Sequence, residues 1–223
     1  MNTVFRRLWR FGLAWRFRLL HHHRHRTLIL EYVHGQPFVV LPDVFNPALF
    51  RTSGFFVEQF ATHIPQGARV LDMGTGTGIG AIFATRYTKH VTAVDINPEA
   101  IRAAQINALL NSVEHGISIC QSDLFAALPE QKFDVILFNP PFFRGEPGDN
   151  HDYSWRSNDT VERFAATASQ HLNPDGCVLV VLSSDGDHDT FLDVFQQNAL
   201  SIDVIAQHDL INEILTVYKL TVT

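Results

Sequence analysis

The amino-acid sequence predicts an α/β fold: a doubly wound, seven-stranded sheet that is mostly parallel and has an antiparallel last strand. Short apolar runs alternate with helical patterns along the chain, which is typical of helices packed on both faces of a parallel sheet. One run, at residues 135–138, is continuously apolar, as expected of a strand buried on both faces. The last two predicted strands, at residues 202–207 and 213–221, have a link too short for a helix, so they are expected to pair as a hairpin.

Size and composition indicate one folded domain with a modest extension. The chain has 223 residues, of which 46% are hydrophobic and 18% charged, enough to bury a substantial core. Its two cysteines lie in apolar strand-like runs and are expected to be buried, reduced thiols. There is no run of about 18 apolar residues and no uninterrupted apolar core near the start, so neither a transmembrane helix nor a secretory signal is predicted. We therefore expect a cytoplasmic location.

Charge is divided unevenly between the first 26 residues and the rest. The net charge is −6, but residues 1–26 hold seven arginines and no acidic residue. The remaining 10 basic and 23 acidic side chains give residues 27–223 a charge of −13. This division predicts a basic N-terminal extension at 1–26 and a domain at 27–223 that begins with a hairpin. The acidic domain argues against wide nonspecific binding of nucleic acid, although the extension could bind it alone.

The N-terminal extension is predicted to be amphipathic. In residues 4–20, apolar side chains recur at three- and four-residue steps between arginines, which is the period of one helix face. Three alternatives follow: the apolar face packs on the domain, the helix binds an anionic membrane or phosphates, or the segment is a targeting sequence. The four histidines between positions 21 and 25 are adjacent to arginines, as in a solvated run, so no metal site is predicted.

The first elements of the domain are predicted to be a β-hairpin and a helix. The hairpin covers residues 27–41 with its turn at 34–37, and the helix covers about residues 53–63. Another turn is predicted at residues 173–176, before the strand at 177–182.

A glycine-rich loop follows the next predicted strand. It reads DMGTGTGIG from Asp72 to Gly80 and opens a helix, and its glycines permit positive φ and a close backbone approach to a ligand. Such a loop also fits a dinucleotide, but the carboxylate of Asp72 would then lie unfavourably beside a pyrophosphate. It is compatible with the cationic sulfonium and ammonium groups of S-adenosylmethionine. The candidate cofactor-binding residues here are Asp72, Gly74, Thr75, Gly76 and Gly78.

Two further acidic residues follow strands of the same predicted sheet. Asp95 lies 23 residues beyond Asp72 at the tip of the second strand, where a carboxylate can accept both hydroxyls of a ribose. As an alternative, Asp95 caps the helix predicted at residues 98–111. Asp123 follows the third strand, at residues 117–120, and either contacts a ligand or forms a turn or helix cap.

The most informative stretch, Asn139-Pro140-Pro141-Phe142, ends the apolar strand. Prolines cannot donate to a ladder, so pairing stops where the strand reaches the carboxyl edge of the sheet, at which open α/β folds bind ligands. The amide oxygen of Asn139 and the carbonyl of Pro140 would then form a pair of acceptors, with the ring of Phe142 just beyond. This arrangement suits a planar NH2 group that lies on the ring while both of its hydrogens are held.

This tetrapeptide resembles the signature of class I S-adenosylmethionine-dependent methyltransferases that act on planar nitrogens: adenine N6, guanine N2 or the amide of glutamine. With the glycine-rich loop, it makes residues 40–220 similar to release-factor glutamine and RNA exocyclic-amine methyltransferases. The resemblance implies a Rossmann-like sheet, S-adenosyl-L-methionine as the cofactor, and Asn139, Pro140 and Phe142 as catalytic residues. The antiparallel ending of the predicted sheet fits this family better than a nucleotide-binding fold with six parallel strands.

The resemblance also implies roles for neighbouring residues. Asp123 is expected to accept the adenine amino group, with apolar neighbours such as Ile96 and Leu124 enclosing the ring. A Pro…Thr segment over the methionine end of the cofactor is expected near Thr52, and its candidates are Asn46, Pro47, Thr52 and Ser53. The irregular passage 144–158 is long enough for a substrate lid. The substrate-binding candidates are Pro141, Phe143, Trp155 and Arg156.

The methyl acceptor stays open between three classes. Release-factor glutamine methyltransferases usually have Tyr at the position of Phe142, and many carry a helical substrate-binding domain of which residues 1–26 are too short to be a copy. Phe142 followed by Phe143 looks more like the RNA enzymes, yet the acidic domain lacks the positive charge expected of an RNA binder. A protein glutamine side chain is therefore the preferred acceptor, with RNA adenine N6 or guanine N2, or a small amine or amide metabolite, as alternatives.

Overall fold

A mixed seven-stranded sheet forms the centre of the computed structural model, which describes residues 27–49, 51–145, 156–210 and 213–223. Strands β1 (Ile29–Val33) and β2 (Gln36–Val40) form a separate hairpin. The strands of the seven-stranded sheet are β3 (Arg69–Met73), β4 (His90–Asp95), β5 (Ile117–Gln121), β6 (Phe133–Phe138), β7 (Leu172–Ser183), β8 (Leu200–Asp209) and β9 (Ile214–Val222). The sheet has the order β5-β4-β3-β6-β7-β9-β8. Its first five strands are parallel, and β9 is antiparallel to both neighbours, which confirms the predicted fold class.

Helices cover both faces of this sheet. They are α1 (Arg51–Glu58), α2 (Phe60–His63), α3 (Ile79–Ala84), α4 (Pro98–Leu110), α5 (Thr160–Ala168) and α6 (His188–Gln197), with 3-10 turns at Glu114–Gly116 and Ser169–His171. The helix predicted at residues 53–63 is present as α1 and α2. Helix α4 begins with proline after the cap residue Asn97, whose side chain accepts a hydrogen bond from the Glu99 amide at 2.9 Å.

Strand β6 is buried on both faces, as its unbroken apolar sequence predicts. Val135 and Leu137 face a core shared with α1, α2, α3 and the hairpin, whereas Ile136 and Phe138 face a core shared with α5 and α6. All four side chains are at most 2% exposed. The end of β6 is therefore fixed from both sides, which gives the residues that follow it a rigid base.

The hairpin of β1 and β2 lies outside the main sheet and is fastened by one buried side chain. Its turn has two residues, His34 and Gly35, both with positive φ, rather than the four predicted at 34–37. Asn107 on α4 is fully buried, and its Oδ1 accepts the Val39 amide at 2.7 Å. Its Nδ2 donates to the carbonyl oxygens of Val39, at 2.8 Å, and Thr77, at 2.9 Å. Asn107 thus joins the hairpin, α4 and the glycine-rich loop.

The prediction of a turn at residues 173–176, before a strand that starts at residue 177, is wrong. These residues form a bulge inside β7, which already begins at Leu172. Phe133 pairs with Leu172, whereas Val135 already pairs with Cys177. A Cβ on Gly176 would lie 2.9 Å from the Phe133 carbonyl oxygen, so only glycine fits this close approach. The predicted turn residues therefore bend the strand without ending it.

The remaining sequence expectations concern membrane-crossing helices, the N-terminal residues and the two cysteines. In the ranges that the structure describes, no helix combines the length and the apolar character needed to cross a membrane. The amphipathic helix at 4–20, the histidine run and the domain boundary at residue 26 lie outside these ranges, so they stay predictions. Both cysteines are free thiols; Cys177 is buried as expected and Cys120 is half-buried.

Candidate active site

A cavity of about 250 Å³ opens at the carboxyl edge of the sheet. Its walls come from the residues at the ends of β3, β4 and β6, the loop after β5, and the first turn of α5. Asp72, Asp95 and Asn139 all line it, because the ends of adjacent parallel strands meet at the same edge. Ligands of open α/β sheets bind at this edge, so the cavity is the candidate active site.

Asp72 is a buried carboxylate held in one orientation under the glycine-rich loop. Its Oδ2 accepts hydrogen bonds from the Thr75 hydroxyl at 2.5 Å and from the Ala81 amide at 2.8 Å. A Cβ on Gly80 would lie 2.4 Å from Oδ1, so glycine is required beside the carboxylate. Burial raises the pKa of Asp72 to about 6, although both hydrogen bonds act in the opposite direction. A cationic ligand in the cavity would offset this cost of burying the charge.

Asp95 connects the tip of β4 to the glycine-rich loop. Its Oδ2 accepts the Gly76 amide and its Oδ1 accepts the Asn97 amide, each at 2.9 Å. Burial raises the pKa of Asp95 despite these backbone hydrogen bonds. Asn97, not Asp95, caps α4, so the alternative prediction of Asp95 as the cap is wrong. The carboxylate is thus placed on the cavity wall, and Ile96 lines the cavity beside it.

The glycine-rich loop contributes backbone to the cavity at three of its predicted positions. Gly74 and Gly76 have positive φ, and together with Thr75 they line the cavity. Gly78 is not part of the lining; a Cβ there would lie 3.1 Å from Cα of Ala104, so this glycine lets α3 and α4 pack closely. Thr77 was not predicted from the sequence; its buried hydroxyl lines the cavity without a hydrogen-bond partner in the described chain.

The end of β6, which is next to β3 in the sheet, forms another wall of the cavity. The Oδ1 atom of Asn139 is buried and has no hydrogen-bond partner among the residues that the structure describes. Pro140, Pro141 and Phe142 continue the lining. Behind them, the Phe142 carbonyl oxygen accepts the Asp187 amide at 2.9 Å, and the loop between β7 and α6 passes close to it. A buried acceptor on a fixed wall is therefore available to a donor that enters the cavity.

The turn after β5 carries Asp123 and Leu124 to the cavity. Leu124 has φ +48°, a conformation that costs a non-glycine residue about 1 kcal/mol or more. The Ser122 hydroxyl stabilises this turn, since it donates to the Leu124 carbonyl oxygen at 2.7 Å and accepts the Ala127 amide at 3.0 Å. Asp123 Oδ2 accepts a hydrogen bond from Nη2 of Arg163 at 2.7 Å. Arg163, which also lines the cavity, was missed by the sequence analysis.

Several predicted site residues do not line the cavity. Thr52 is buried in α1 and lies outside the lining, whereas its neighbour Ser53 is part of it. Phe143 bridges to Arg156, whose guanidinium carbon lies 5.9 Å from the ring centroid, and neither residue contributes to the lining. Trp155 lies outside the described residues. The roles proposed for these four residues stay predictions.

The side chains that could bind a metal ion do not cluster within the described residues. No group of three or more His, Cys, Asp or Glu side chains is placed there to hold a metal ion. The acidic residues of the cavity instead accept hydrogen bonds from backbone amides, a hydroxyl and a guanidinium.

Fold and site together define a class of protein. The chain belongs to the methyltransferase small domain family, which matches residues 36–208. This assignment confirms the predicted methyltransferase, and the observed sheet confirms the predicted Rossmann-like fold.

Curated relatives show which methyltransferases the chain resembles. A Methanocaldococcus jannaschii protein, provisionally named a protein N5-glutamine methyltransferase, is 37% identical over 70% of this chain and 80% of its own. The release factor glutamine methyltransferase of Geobacter sulfurreducens is 31% identical over 73% of this chain. The tRNA1(Val) (adenine(37)-N6)-methyltransferase of Phocaeicola vulgatus is 32% identical over 60% of it. The chain spans 61% and 59% of the lengths of the last two.

A solved structure shares the fold. The T. thermophilus 16S rRNA N2 G1207 methyltransferase, in complex with AdoMet and guanosine, superposes with a TM-score of 0.68 at 20% identity. The match covers 88% of this chain and 50% of that one.

Proposed function

We propose that the chain transfers a methyl group from S-adenosylmethionine to the amide nitrogen of a glutamine side chain in a protein. The observation that carries this proposal is the buried Oδ1 atom of Asn139, an acceptor without a partner in the described chain. Such an atom costs free energy unless a donor reaches it, and a primary amide supplies N–H donors. The N5-glutamine and release factor glutamine relatives support an amide nitrogen as that donor.

The cavity wall formed by β3, β4 and the glycine-rich loop suits the cofactor. Asp95 ends β4 where its carboxylate could accept ribose hydroxyls, and Asp72 offers negative charge to a cationic ligand. The unpartnered Thr77 hydroxyl adds a group that could bond to the polar end of the cofactor. When bound, S-adenosylmethionine supplies a methyl group on an electrophilic sulfonium.

Catalysis by this chain would depend on holding a weak nucleophile. The lone pair of an amide nitrogen is delocalised, so the nitrogen attacks poorly unless it is oriented. Asn139 and Pro140 would accept its two hydrogens and favour the more tetrahedral, more positive nitrogen of the transition state. Phe142, only 8% exposed, would cover the flat group and exclude water. No strong general base is required, because the proton can leave after positive charge develops.

A labelling experiment tests the acceptor class. The purified chain is incubated with methyl-labelled S-adenosylmethionine and, separately, with total cell protein, total RNA and a small-molecule extract. We expect label in protein, at glutamine, and none with the Asn139→Ala variant. Label confined to RNA or to small molecules would contradict the glutamine assignment while leaving the methyltransferase class intact.

RNA is the second candidate acceptor, and the tRNA adenine-N6 relative favours it. Adenine N6 and guanine N2 are also planar NH2 groups, so the same Asn139 wall could hold them. The seven arginines of residues 1–26 would supply the charge that the acidic domain lacks. If this candidate is right, RNA binding falls steeply with salt and is lost on deletion of residues 1–26. The same extension contacting an anionic surface, and a cytoplasmic location beside translation components, belong to the proposal as well.

A further inference from the structure

The adenine end expected in the cavity is bordered by an ion pair that joins two distant segments. Asp123 lies in the turn after β5, and Arg163 lies 40 residues later on α5. Nη2 of Arg163 donates to Oδ2 of Asp123 at 2.7 Å, and both residues line the cavity. Nη1 of Arg163 also lies 4.0 Å from Asp159 at the start of the same helix. Arg163 therefore binds one oxygen of the Asp123 carboxylate at the wall of the cavity.

The two oxygens of this carboxylate are not equivalent. Oδ2 is used by Arg163, whereas Oδ1 accepts no hydrogen bond within the described chain. The turn itself cannot rotate easily, because the Ser122 hydroxyl donates to the Leu124 carbonyl oxygen and accepts the Ala127 amide. Oδ1 is consequently the oxygen that remains for a ligand donor, in an orientation that Arg163 fixes.

We infer that Arg163 is a positioning residue for cofactor selectivity: it holds the Asp123 carboxylate so that Oδ1 accepts the 6-amino group of the adenine ring. The inference rests on the proposed binding of S-adenosylmethionine in this cavity. This contact would distinguish purine ligands by the group at position 6 of the ring. An amino group donates to the carboxylate, whereas a 6-oxo group presents an acceptor to an acceptor and is rejected.

S-Adenosylhomocysteine and S-inosylhomocysteine, which differ only at purine position 6 and the adjoining N1 proton, are the probes. Their dissociation constants are measured by calorimetry on the full chain and on Arg163→Met, Asp123→Asn and the double variant. Arg102→Met is the control, since Arg102 is also an exposed helix arginine beside a carboxylate, 3.7 Å from Glu99 on α4, but does not line the cavity.

We expect the wild type to prefer the adenosyl ligand by about tenfold or more, the scale of a hydrogen bond to a charged acceptor. Arg163→Met should lower this preference about threefold to fivefold, the scale of one half-exposed ion pair. In the Asp123→Asn background, Arg163→Met should not lower it further, because no carboxylate is left to position. Arg102→Met should leave the preference unchanged.

The other possible binding results would overturn either the role of Arg163 or the cofactor site on which it rests. Equal weakening of both ligands by Arg163→Met would indicate a merely structural role and overturn the inference, as would an unchanged preference. A preference that rises in Arg163→Met would show that Arg163 competes with the adenine for Asp123, which also overturns it. If the wild type binds neither ligand, the proposed cofactor site itself fails.

Discussion

The two walls of the cavity differ in how far the protein satisfies its own polar groups. On the wall formed by β3 and β4, Asp72 and Asp95 together accept four hydrogen bonds from within the chain. On the wall that follows β6, the Oδ1 atom of Asn139 accepts none among the described residues. The carboxylates of the first wall are therefore satisfied before a ligand enters, and only the Thr77 hydroxyl beside them lacks a partner among the described residues. The second wall has a buried carbonyl-type acceptor for which the described residues provide no donor.

This difference separates stability from catalysis in the site. Changing a group of the satisfied wall breaks hydrogen bonds that hold the loop, so fold and cofactor affinity should suffer together. Changing Asn139 removes an atom on which nothing else depends, so turnover should fall while the fold persists. Natural sites often keep unsatisfied polar groups where a substrate completes them.

The largest expected effect comes from Asn139→Ala. Loss of one preorganised acceptor should lower the methyl-transfer rate by about 10²–10³-fold. The free energy of unfolding should not decrease, since a buried polar atom without a partner contributes no internal hydrogen bond. Rates with labelled cofactor, thermal unfolding and titration with S-adenosylhomocysteine measure the three quantities. Asp95→Ala is the contrasting variant and should weaken cofactor binding first; equal loss of cofactor affinity in both variants would falsify the division between the walls.

The pH dependence of stability should come next in size. Because the pKa of Asp72 is raised from 3.8 to about 6 in the folded protein, the folded state retains a proton that the unfolded state has lost between these values. Stability should therefore fall as the pH rises from about 4 to 7, by about 3 kcal/mol relative to Asp72→Asn. Denaturant unfolding of both proteins across this range measures the difference. Parallel profiles would show that Asp72 is not the titrating group.

The positions of three polar residues on the two walls could be predicted because each lies at the carboxyl end of a strand. Asp72 is the last residue but one of β3, Asp95 is the last residue of β4, and Asn139 directly follows β6. The ends of adjacent parallel strands meet at one edge whatever the helices do. The apolar run of β6 also predicted burial on both faces. Local pattern and sheet geometry agree here, so no knowledge of packing was needed.

Residues placed by packing could not be found in the same way. Arg163 reaches Asp123 only because α5 crosses the loop after β5, and nothing in either local sequence records this contact. Ser53 rather than Thr52 lines the cavity because of the way α1 is rotated about its axis. Successive helix residues differ by about 100°, and the sequence pattern did not determine which of the two faces the cavity. Asn107 looked like an ordinary helix residue, although it fastens the hairpin to the glycine-rich loop.

Two glycines allow each wall of the cavity to be disturbed separately, by adding a methyl group that meets one wall only. A Cβ on Gly80 would lie 2.4 Å from Asp72 Oδ1, and one on Gly186 would lie 2.4 Å from the Phe142 carbonyl oxygen. Each alanine substitution should cost about 1–3 kcal/mol of stability. Gly80→Ala should raise the dissociation constant of S-adenosylhomocysteine about tenfold, whereas Gly186→Ala should lower turnover about tenfold at unchanged cofactor affinity.

The control for both is Gly116→Ala, whose Cβ would meet no atom closer than 3.6 Å. It should be neutral in binding, turnover and stability to within about 0.5 kcal/mol. Interchanged effects, with Gly186→Ala weakening the cofactor and Gly80→Ala sparing it, would reverse the assignment of the walls.

The smallest expected effect concerns the strained turn at Leu124. Leu124→Gly relieves the backbone at φ +48° but removes an apolar side chain from the cavity, whereas Leu124→Ala removes the side chain and keeps the strain. The glycine variant should therefore be more stable than the alanine variant by about 0.5–1 kcal/mol. Both should bind S-adenosylhomocysteine more weakly than the wild type, by a similar factor of about three to ten, since both lose the same contact. Chemical denaturation measures the difference in stability, and calorimetry measures the loss of affinity for S-adenosylhomocysteine. Equal stability of the two variants would show that the turn holds no strain, and its conformation would then be only an incidental feature of the cofactor wall.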